Sequence, residues 1–130
     1  MSLYEKPLVT ETFKALQAMD AYCLVKRHSA TEVALSTVDD EECLGVTLTE
    51  AAIGQDVDVA ILGKCVVKCG GNISAGNRLA SNGGTGTDGS VQVSAPAAGV
   101  NSSTIGMALD DGVLDDEIVA LIAPGITQGA

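Results

Sequence analysis

Aromatic side chains are almost absent from this sequence of 130 residues. Tyr4, Phe13 and Tyr22 are the only ones, and all three lie near the start of the chain. Aromatic rings bury more area per side chain than most other groups. The rest of the chain must therefore build its core from aliphatic residues, and we expect part of its stability to come from association with other chains.

Basic side chains are scarce, and the formal net charge is −10. No Lys or Arg follows Arg78, whereas acidic residues continue to Glu117. Nucleic-acid binding needs a basic patch that displaces counterions from phosphates, so we expect no nucleic-acid partner. An acidic surface suits a protein that stays dissolved at high concentration or has a basic partner, and an ordinary solvated acidic face is the alternative.

Long apolar runs are also missing. No stretch approaches the roughly 18 apolar residues of a transmembrane helix, and residues 1–13 lack the pattern of a secretory signal. We expect no membrane partner and synthesis in a reducing cytoplasm. Cys65 and Cys69 lie in a strand-like run that separates their Cα atoms by about 13 Å, too far for a disulfide. We interpret all four cysteines, Cys23 and Cys43 included, as small buried hydrophobic residues.

The groups that enzymes use are sparse. The single histidine, His28, stands between Arg27 and Ser29 in a predicted turn, which favours a solvated role. Acidic residues cluster in predicted turns, where exposure leaves no member desolvated for general acid–base work. We expect no enzyme activity, no cofactor and no bound metal. Calcium at Asp110, Asp111, Asp115 and Asp116 is the alternative, although their spacing fits no EF-hand.

An internal repeat organises the sequence. Residues 44–63 recur as residues 105–124, and a shift of about 61 positions pairs Gly45 with Gly106, Leu48 with Leu109 and Ile61 with Ile122. Each copy alternates apolar and polar residues, breaks at a turn and alternates again, which predicts two strands joined by a turn. Asp115 stands where the first copy has Gly54. Two related β halves around a shared aliphatic core are the simplest interpretation.

Short alternating runs continue through most of the chain. They predict strands over residues 21–25, 31–36, 43–48, 56–62, 64–69, 78–81, 90–94, 104–109 and 117–122. Turn residues separate them, including Gly63-Lys64 between the fourth and fifth runs. The pattern predicts an all-β fold, a small barrel or sandwich over residues 21–125, followed by a frayed tail over residues 126–130.

Residues 1–20 have a different texture. Val9, Phe13 and Leu16 recur at helical spacing after Pro7, so residues 10–19 are predicted to form a short amphipathic helix behind an extended arm. The arm and helix hold the apolar anchors Leu3, Tyr4, Pro7, Leu8, Val9 and Phe13. Such segments usually dock on a larger partner. The alternative is a helix that plugs one end of the barrel, which concerns Phe13 above all.

Several of these segments resemble the capsid decoration, or cement, proteins of tailed bacteriophages. The resemblance covers roughly residues 20–125 and rests on LGVTL (44–48), VDVAILG (57–63), ISAGNRL (73–79) and LIAPG (121–125). It implies a non-enzymatic homotrimer on the outer surface of the virion head, made in the host cytoplasm. Such a trimer clamps neighbouring major capsid subunits, and its N-terminal segment contributes to the capsid contact.

A binding module of another class is the alternative function. Residues 81–90, SNGGTGTDGS, form a glycine-rich segment that could edge a barrel mouth and bind a small molecule or glycan. The scarcity of aromatic platforms argues against this soluble β module. A concave pocket with convergent polar groups would favour it.

Overall fold

The computed structural model describes residues 6–39, 41–83, 89–96 and 98–128. Within these ranges the chain is all-β, as predicted, and has no helix. The strands are Lys6–Ala15 (β1), Leu24–Arg27 (β2), Glu32–Leu35 (β3), Gly45–Thr47 (β4), Asp56–Lys68 (β5), Arg78–Ser81 (β6), Val91–Val93 (β7), Asn101–Ala108 (β8) and Glu117–Gln128 (β9). No described helix is long and apolar enough to cross a membrane.

The predicted helix over residues 10–19 is wrong, because that segment begins as part of β1. Strand β1 runs antiparallel to β5, with Thr10 opposite Ala60 and Phe13 opposite Val57. The β-branched residues Val9, Thr10 and Thr12 favour extended backbone. The helical spacing of Val9 and Phe13 was misleading, since Val9 is exposed and Phe13 is buried.

All nine strands belong to one sheet that includes a partial ring. In the first half, the neighbours follow the order β1, β3, β2, β4, β5, and β5 then pairs with β1. In the second half, β5 pairs with β9, and β8, β6 and β7 follow. A single parallel bridge between Cys69 and Val91 brings β7 back to the end of β5. The result is not a clean barrel.

Strand β5 serves both halves. The predicted turn at Gly63-Lys64 does not form, and β5 continues to Lys68. Its first part pairs with β1 and β4, and its last part pairs with β9. Gly63 has a φ of +117°, and it pairs with Pro7 on one side and with Ile122 on the other. The glycine thus lets one strand pass from the first half into the second.

Strand β9 is also longer than predicted. It reaches Gln128, which pairs with Asn101 of β8, so residues 126–128 belong to a strand and not to the expected tail. Residues 129–130 lie outside the described ranges.

Two hydrophobic clusters form the core. The larger includes Leu79, Ile105 and Ile122 of the second half, together with Leu24 and Val46 of the first. The smaller is built from first-half residues, among them Phe13, Met19, Val25, Val33 and Val59. Val59 and Ala60 are neighbours on β5 but belong to different clusters, which fits the alternation of side chains along a strand. Strand β5 therefore separates the two clusters and contacts both.

The two halves make equivalent turns at positions 61 residues apart. Leu48 N–H donates to the carbonyl of Asp58, and Leu109 N–H donates to that of Val119, both at 2.9 Å. Further along the same turns, the backbone N–H of Gln55 donates to the carbonyl of Ala52, and that of Asp116 donates to the carbonyl of Val113, both at 3.0 Å. Gly54 and Asp115 are also 61 positions apart, and both have left-handed backbone, with φ angles of +78° and +70°.

Candidate functional site

The predicted contact residues divide into three groups. Leu3 and Tyr4 lie outside the described residues. Pro7, Leu8 and Val9 lie on β1 near its start. Phe13 lies on the same strand but belongs to the smaller core cluster.

Phe13 is a core residue of its own chain. It is 5% exposed, and the guanidinium carbon of Arg27 lies 5.6 Å from the ring centroid. At that distance a cation over the ring face adds an electrostatic attraction to the burial. The ring is therefore not part of an exposed contact surface in this structure.

The start of β1 forms an exposed apolar patch, which we call the N-terminal patch and define as Pro7, Leu8, Val9 and Leu62. Leu8 is 74% exposed, Val9 42% and Leu62 40%. Val9 and Leu62 face each other across the β1–β5 ladder. The ladder shifts register between Pro7 and Val9, so Leu8 is the extra residue of an irregularity and projects from the sheet.

One edge of β1 is open over most of its length. Strand β1 pairs with β5 from Lys6 to Lys14, whereas β3 pairs only with Lys14 and Ala15. Within the described ranges, no strand covers the second edge before Lys14. Such an edge presents unpaired N–H and C=O groups to a further strand.

A second exposed surface lies across β5, β9, β8 and β6. Ladder partners share a face, and Lys64, Leu121, Met107 and Arg78 are successive partners across these strands. Leu121 and Leu109 are each 40% exposed. We call this row, together with Leu109 and Val119, the outer stripe. It has an apolar centre, a cation at each end and the Asp110 carboxylate beside Lys64, Leu109 and Val119. Sequence reasoning missed it because strand neighbours are not visible in the sequence.

Lys64 also faces a like charge. Lys6 is its direct partner on β1, and neither lysine forms an ion pair with a described residue. Like charges directly opposite each other on a sheet are destabilising. Lys64 also shares a surface depression with Leu109, Asp110 and Val119, so a carboxylate of the same chain lies on this surface.

The turn between β8 and β9 carries the clustered acids, and we call residues 110–116 the acidic tip. Asp111 Oδ1 accepts from Ala75 N–H at 2.8 Å, and Asp116 Oδ2 accepts from Val113 N–H at 3.0 Å. These carboxylates thus hold the loop together. The described part of the chain contains no cluster of His, Cys, Asp or Glu that could hold a metal ion, so the calcium alternative finds no support here.

All four cysteines are free thiols. Burial raises the pKa of Cys43 to about 12, and the nearby Glu41 carboxylate adds to the rise. Burial also raises the pKa of Cys23 and Cys69. A raised pKa suppresses the thiolate, so these three thiols are poorly suited to nucleophilic chemistry.

His28 is exposed, and its backbone N–H donates to the carbonyl of Glu32.

A depression of about 790 Å³ opens near the β4–β5 turn. Its polar lining includes Asp20, Glu50, Gln55 and Lys68, and its apolar lining includes Met19 and Leu35. Gly89, which follows residues 84–88, lies against Cys23 in its wall, while residues 84–88 themselves are outside the described ranges. No aromatic side chain lines it among the described residues.

Comparison with known proteins gives similarity at the level of the fold. No family model and no curated protein matches the sequence. Among solved structures, the chain is similar to the N base of the head fiber protein gp8.5 of bacteriophage phi29. The TM-score is 0.65, the identity is 18%, and the match covers 88% of this chain and 93% of that chain. The two chains therefore share a fold over nearly their whole lengths.

Proposed function

We propose that this chain is a structural protein of a tailed-bacteriophage head, which binds the outer surface and clamps neighbouring major capsid subunits. The observation that carries the proposal is the near-complete fold similarity to the N base of a phage head fiber protein. That similarity agrees with the resemblance of residues 20–125 to capsid decoration proteins. We propose in addition that the chain is not an enzyme, acts as a homotrimer without a cofactor, and is made in the host cytoplasm.

The N-terminal patch is the surface that we assign to the capsid contact. Leu8 is 74% exposed, the largest exposed fraction of any large hydrophobic side chain in the described part of the chain. The open edge of β1 lies beside it, so a strand of the capsid protein could add main-chain hydrogen bonds to the apolar contact. Leu3 and Tyr4 precede this patch in the sequence and belong to the same proposed contact.

Three weak contacts made by one rigid trimer would bind the head stably, even though each patch is small. A trimer presents three N-terminal patches, and binding of the first raises the effective concentration of the others. The avidity that results can exceed the single-site affinity by about two to four orders of magnitude. The clamp therefore needs no extensive interface on each subunit.

The direct test is sedimentation with expanded heads that lack the protein. Saturable binding at a fixed ratio to the major capsid subunit is the expected result. Leu8→Asp should abolish it, because a carboxylate on the patch opposes apolar contact. Ile53→Asp is the matched control, since Ile53 is 72% exposed and lies in the turn before β5, outside the N-terminal patch. Absence of binding by the wild-type chain, or equal binding by both variants, would contradict the proposal.

The alternative function is a β module that binds a small molecule or glycan in the depression beside Gly89. The convergence of Asp20, Glu50, Gln55 and Lys68 favours it. Calorimetric titration with a panel of neutral and charged oligosaccharides tests it, with Lys68→Ala as the variant that should weaken binding. If no oligosaccharide of the panel gives a binding heat, the glycan-binding alternative is contradicted and the head-protein function is favoured.

A further inference from the structure

The N-terminal patch and the outer stripe adjoin on the surface of the sheet. Lys6 of β1 is the ladder partner of Lys64 on β5 and directly precedes the patch in the sequence. Leu62 of the patch and Lys64 of the stripe lie two positions apart on β5. We therefore treat the two surfaces together with Lys6 as one contact face, which crosses the strands β1, β5, β9, β8 and β6.

The contact face collects the exposed hydrophobic side chains of the strands. Among the described strand residues, every large hydrophobic side chain that is at least 40% exposed belongs to this face: Leu8, Val9, Leu62 and Leu121. Exposed strand positions farther along the β1–β5 ladder are polar, for example Glu11 and Asp58. A solvated sheet face carries polar residues, whereas a contiguous exposed apolar surface marks a site of association.

Unpaired cations are concentrated on the same face. The chain has seven Lys and Arg residues, and three of them, Lys6, Lys64 and Arg78, lie on the contact face. None of the three forms an ion pair with a described residue, and Asp110 is the carboxylate that lies beside Lys64. Because the net charge of the chain is −10, this face differs in charge from the rest of the surface. An acidic partner would therefore attract the chain with this face foremost.

The charge of the contact face disfavours a second copy packed on it face to face. A two-fold axis along the outer stripe places Lys64 opposite its own equivalent, and an axis across the stripe places Lys64 opposite Arg78. Both arrangements set cation against cation, and such contacts are costly at an interface. The chemistry of the face calls instead for a different surface that carries carboxylates.

We propose that the whole contact face binds the head, and that it meets an apolar surface of the major capsid protein flanked by carboxylates. Leu8, Leu62 and Leu121 pack on the apolar part of that surface. Lys64 and Arg78 approach its carboxylates and fix the orientation of the chain on the head. The inference rests on the proposed function and extends its capsid contact from the N-terminal patch to five strands.

The size of the contact face fits a contact that is weak in one copy. Five strands span four strand spacings, about 19 Å, and β5 rises about 13 Å from Leu62 to Val66, the ladder partner of Val119. The footprint is thus on the order of 250 Å², well below the roughly 800 Å² that each partner buries in a standard interface. One copy should therefore bind weakly, and the proposed trimer should supply the remaining area.

Charge reversal at Arg78 tests the proposal in the sedimentation experiment with heads that lack the protein. Arg78 is exposed on β6, so Arg78→Glu should have little effect on the fold. The apparent Kd for heads should rise about tenfold or more at low salt, because an attraction is replaced by repulsion between carboxylates. Added salt should reduce the difference from the wild type. Equal affinity of Arg78→Glu and the wild type at low salt would overturn the proposal.

Lys14→Glu is the matched control, since it changes the net charge by the same amount. Lys14 lies on β1 about 26 Å from Lys6 along the strand, and it forms an exposed ion pair with Asp56. Exposed ion pairs contribute little to stability, so this variant should fold and bind heads as the wild type does. A loss as large as that of Arg78→Glu would assign the effect to net charge and overturn the assigned face.

Leu121→Asp tests the apolar part of the face. Leu121 is 40% exposed at the centre of the outer stripe, and a carboxylate there opposes both the apolar contact and the partner's carboxylates. Head binding should be lost. Leu114→Asp is the control, because Leu114 is 54% exposed in the turn between β8 and β9, and it should bind as the wild type does. Thermal unfolding checks that both variants fold, and equal head binding by the two would overturn the proposal.

Met107 reports on the contact without any substitution. Its side chain is half-buried on β8 within the outer stripe, whereas Met19 is 4% exposed in the core. Dilute hydrogen peroxide oxidises accessible methionine to the sulfoxide, and peptide mass spectrometry follows the reaction. Met107 should react more slowly on saturated heads than in the free protein, and Met19 should react slowly in both. An equal rate for Met107 in the two states would overturn the proposal.

Failure of this inference and failure of the proposed function give different results. A wild-type chain that ignores heads would overturn both. A wild-type chain that binds heads and loses binding in Leu8→Asp, but not in Arg78→Glu or Leu121→Asp, would overturn the contact face and leave the proposed function standing. A native mass lower in Leu121→Asp than in the wild type would place this face between copies of the chain and overturn the inference as well.

Discussion

Gly45 lies so close to the backbone carbonyl of Ala60 that a β-carbon at position 45 would collide with it. Gly106 meets the carbonyl of Leu121 in the same way, and each of these residues lies 61 positions after its counterpart. Gly45→Ala and Gly106→Ala should therefore lower the free energy of unfolding by about 1–3 kcal/mol each, because the facing strand must shift. Urea unfolding measures the change.

Gly71→Ala is the control for both. An added β-carbon at Gly71 would meet nothing within 4 Å. Its unfolding free energy should stay within about 0.5 kcal/mol of the wild type. A loss as large as that of Gly106→Ala would show that the close approach is not the cause.

Truncation should cost far more stability at Phe13 than at Leu8. Phe13→Ala removes a buried ring beneath Arg27 and should cost about 3–5 kcal/mol of unfolding free energy. Leu8→Ala removes an exposed side chain and should cost less than about 0.5 kcal/mol. Thermal unfolding of the two variants checks the difference, and a small effect at Phe13 would return it to the proposed contact surface.

Alkaline pH should destabilise the fold through its buried thiols. Burial raises the pKa of Cys43 to about 12 and also raises the pKa values of Cys23 and Cys69 above their ordinary value of 9.0. Unfolded thiols ionise above pH 9 while the native ones stay protonated, so stability falls as the pH rises through that window. Unfolding in urea from about pH 8 to about pH 11 measures the slope. Cys43→Ala should flatten it, and an unchanged slope would assign the effect to other groups.

Two buried hydroxyls should be dispensable. Ser36 and Ser81 lie beside the Cys43 thiol, but neither hydroxyl has the geometry of a hydrogen bond. Ser36→Ala and Ser81→Ala should leave the unfolding free energy unchanged or raise it by about 1 kcal/mol, since an unsatisfied buried group is removed. Thr47→Val is the contrast, because Thr47 Oγ1 accepts from Cys23 N–H at 3.0 Å and donates to the carbonyl of Asp20 at 2.7 Å. It should cost about 1–3 kcal/mol.

The sequence allowed the β elements to be predicted where alternation was regular. Val57 and Val59 alternate with aspartates, and Ile118, Ala120 and Ile122 alternate with less buried residues, so the starts of both strands were located correctly, although both strands run further than predicted. Gly63 was interpreted as a turn because glycine commonly ends strands. Gly63 lies instead within β5, where the strand changes its pairing partner from β1 to β9. This role depends on the neighbouring strands and is not visible in the sequence.

The start of the chain was harder to predict. Val9, Phe13 and Leu16 fit a helical period, and Phe13 and Ala15 fit a strand period equally well. Pairing with β5 decided the outcome, and pairing between residues about 50 positions apart is not a local property of the sequence. The outer stripe was missed for the same reason, since Lys64, Met107 and Leu121 become neighbours only through the ladder.

The shared strand makes the two halves unequal as independent folding units. Every strand of the first half, including its closing pair β1–β5, is contained in residues 6–68. The second half begins at β6 and must borrow β5 to cover one side of β9. A fragment that ends at Lys68 should therefore retain a cooperative unfolding transition, whereas a fragment that starts at Arg78 leaves β9 with an uncovered flank and is prone to aggregate.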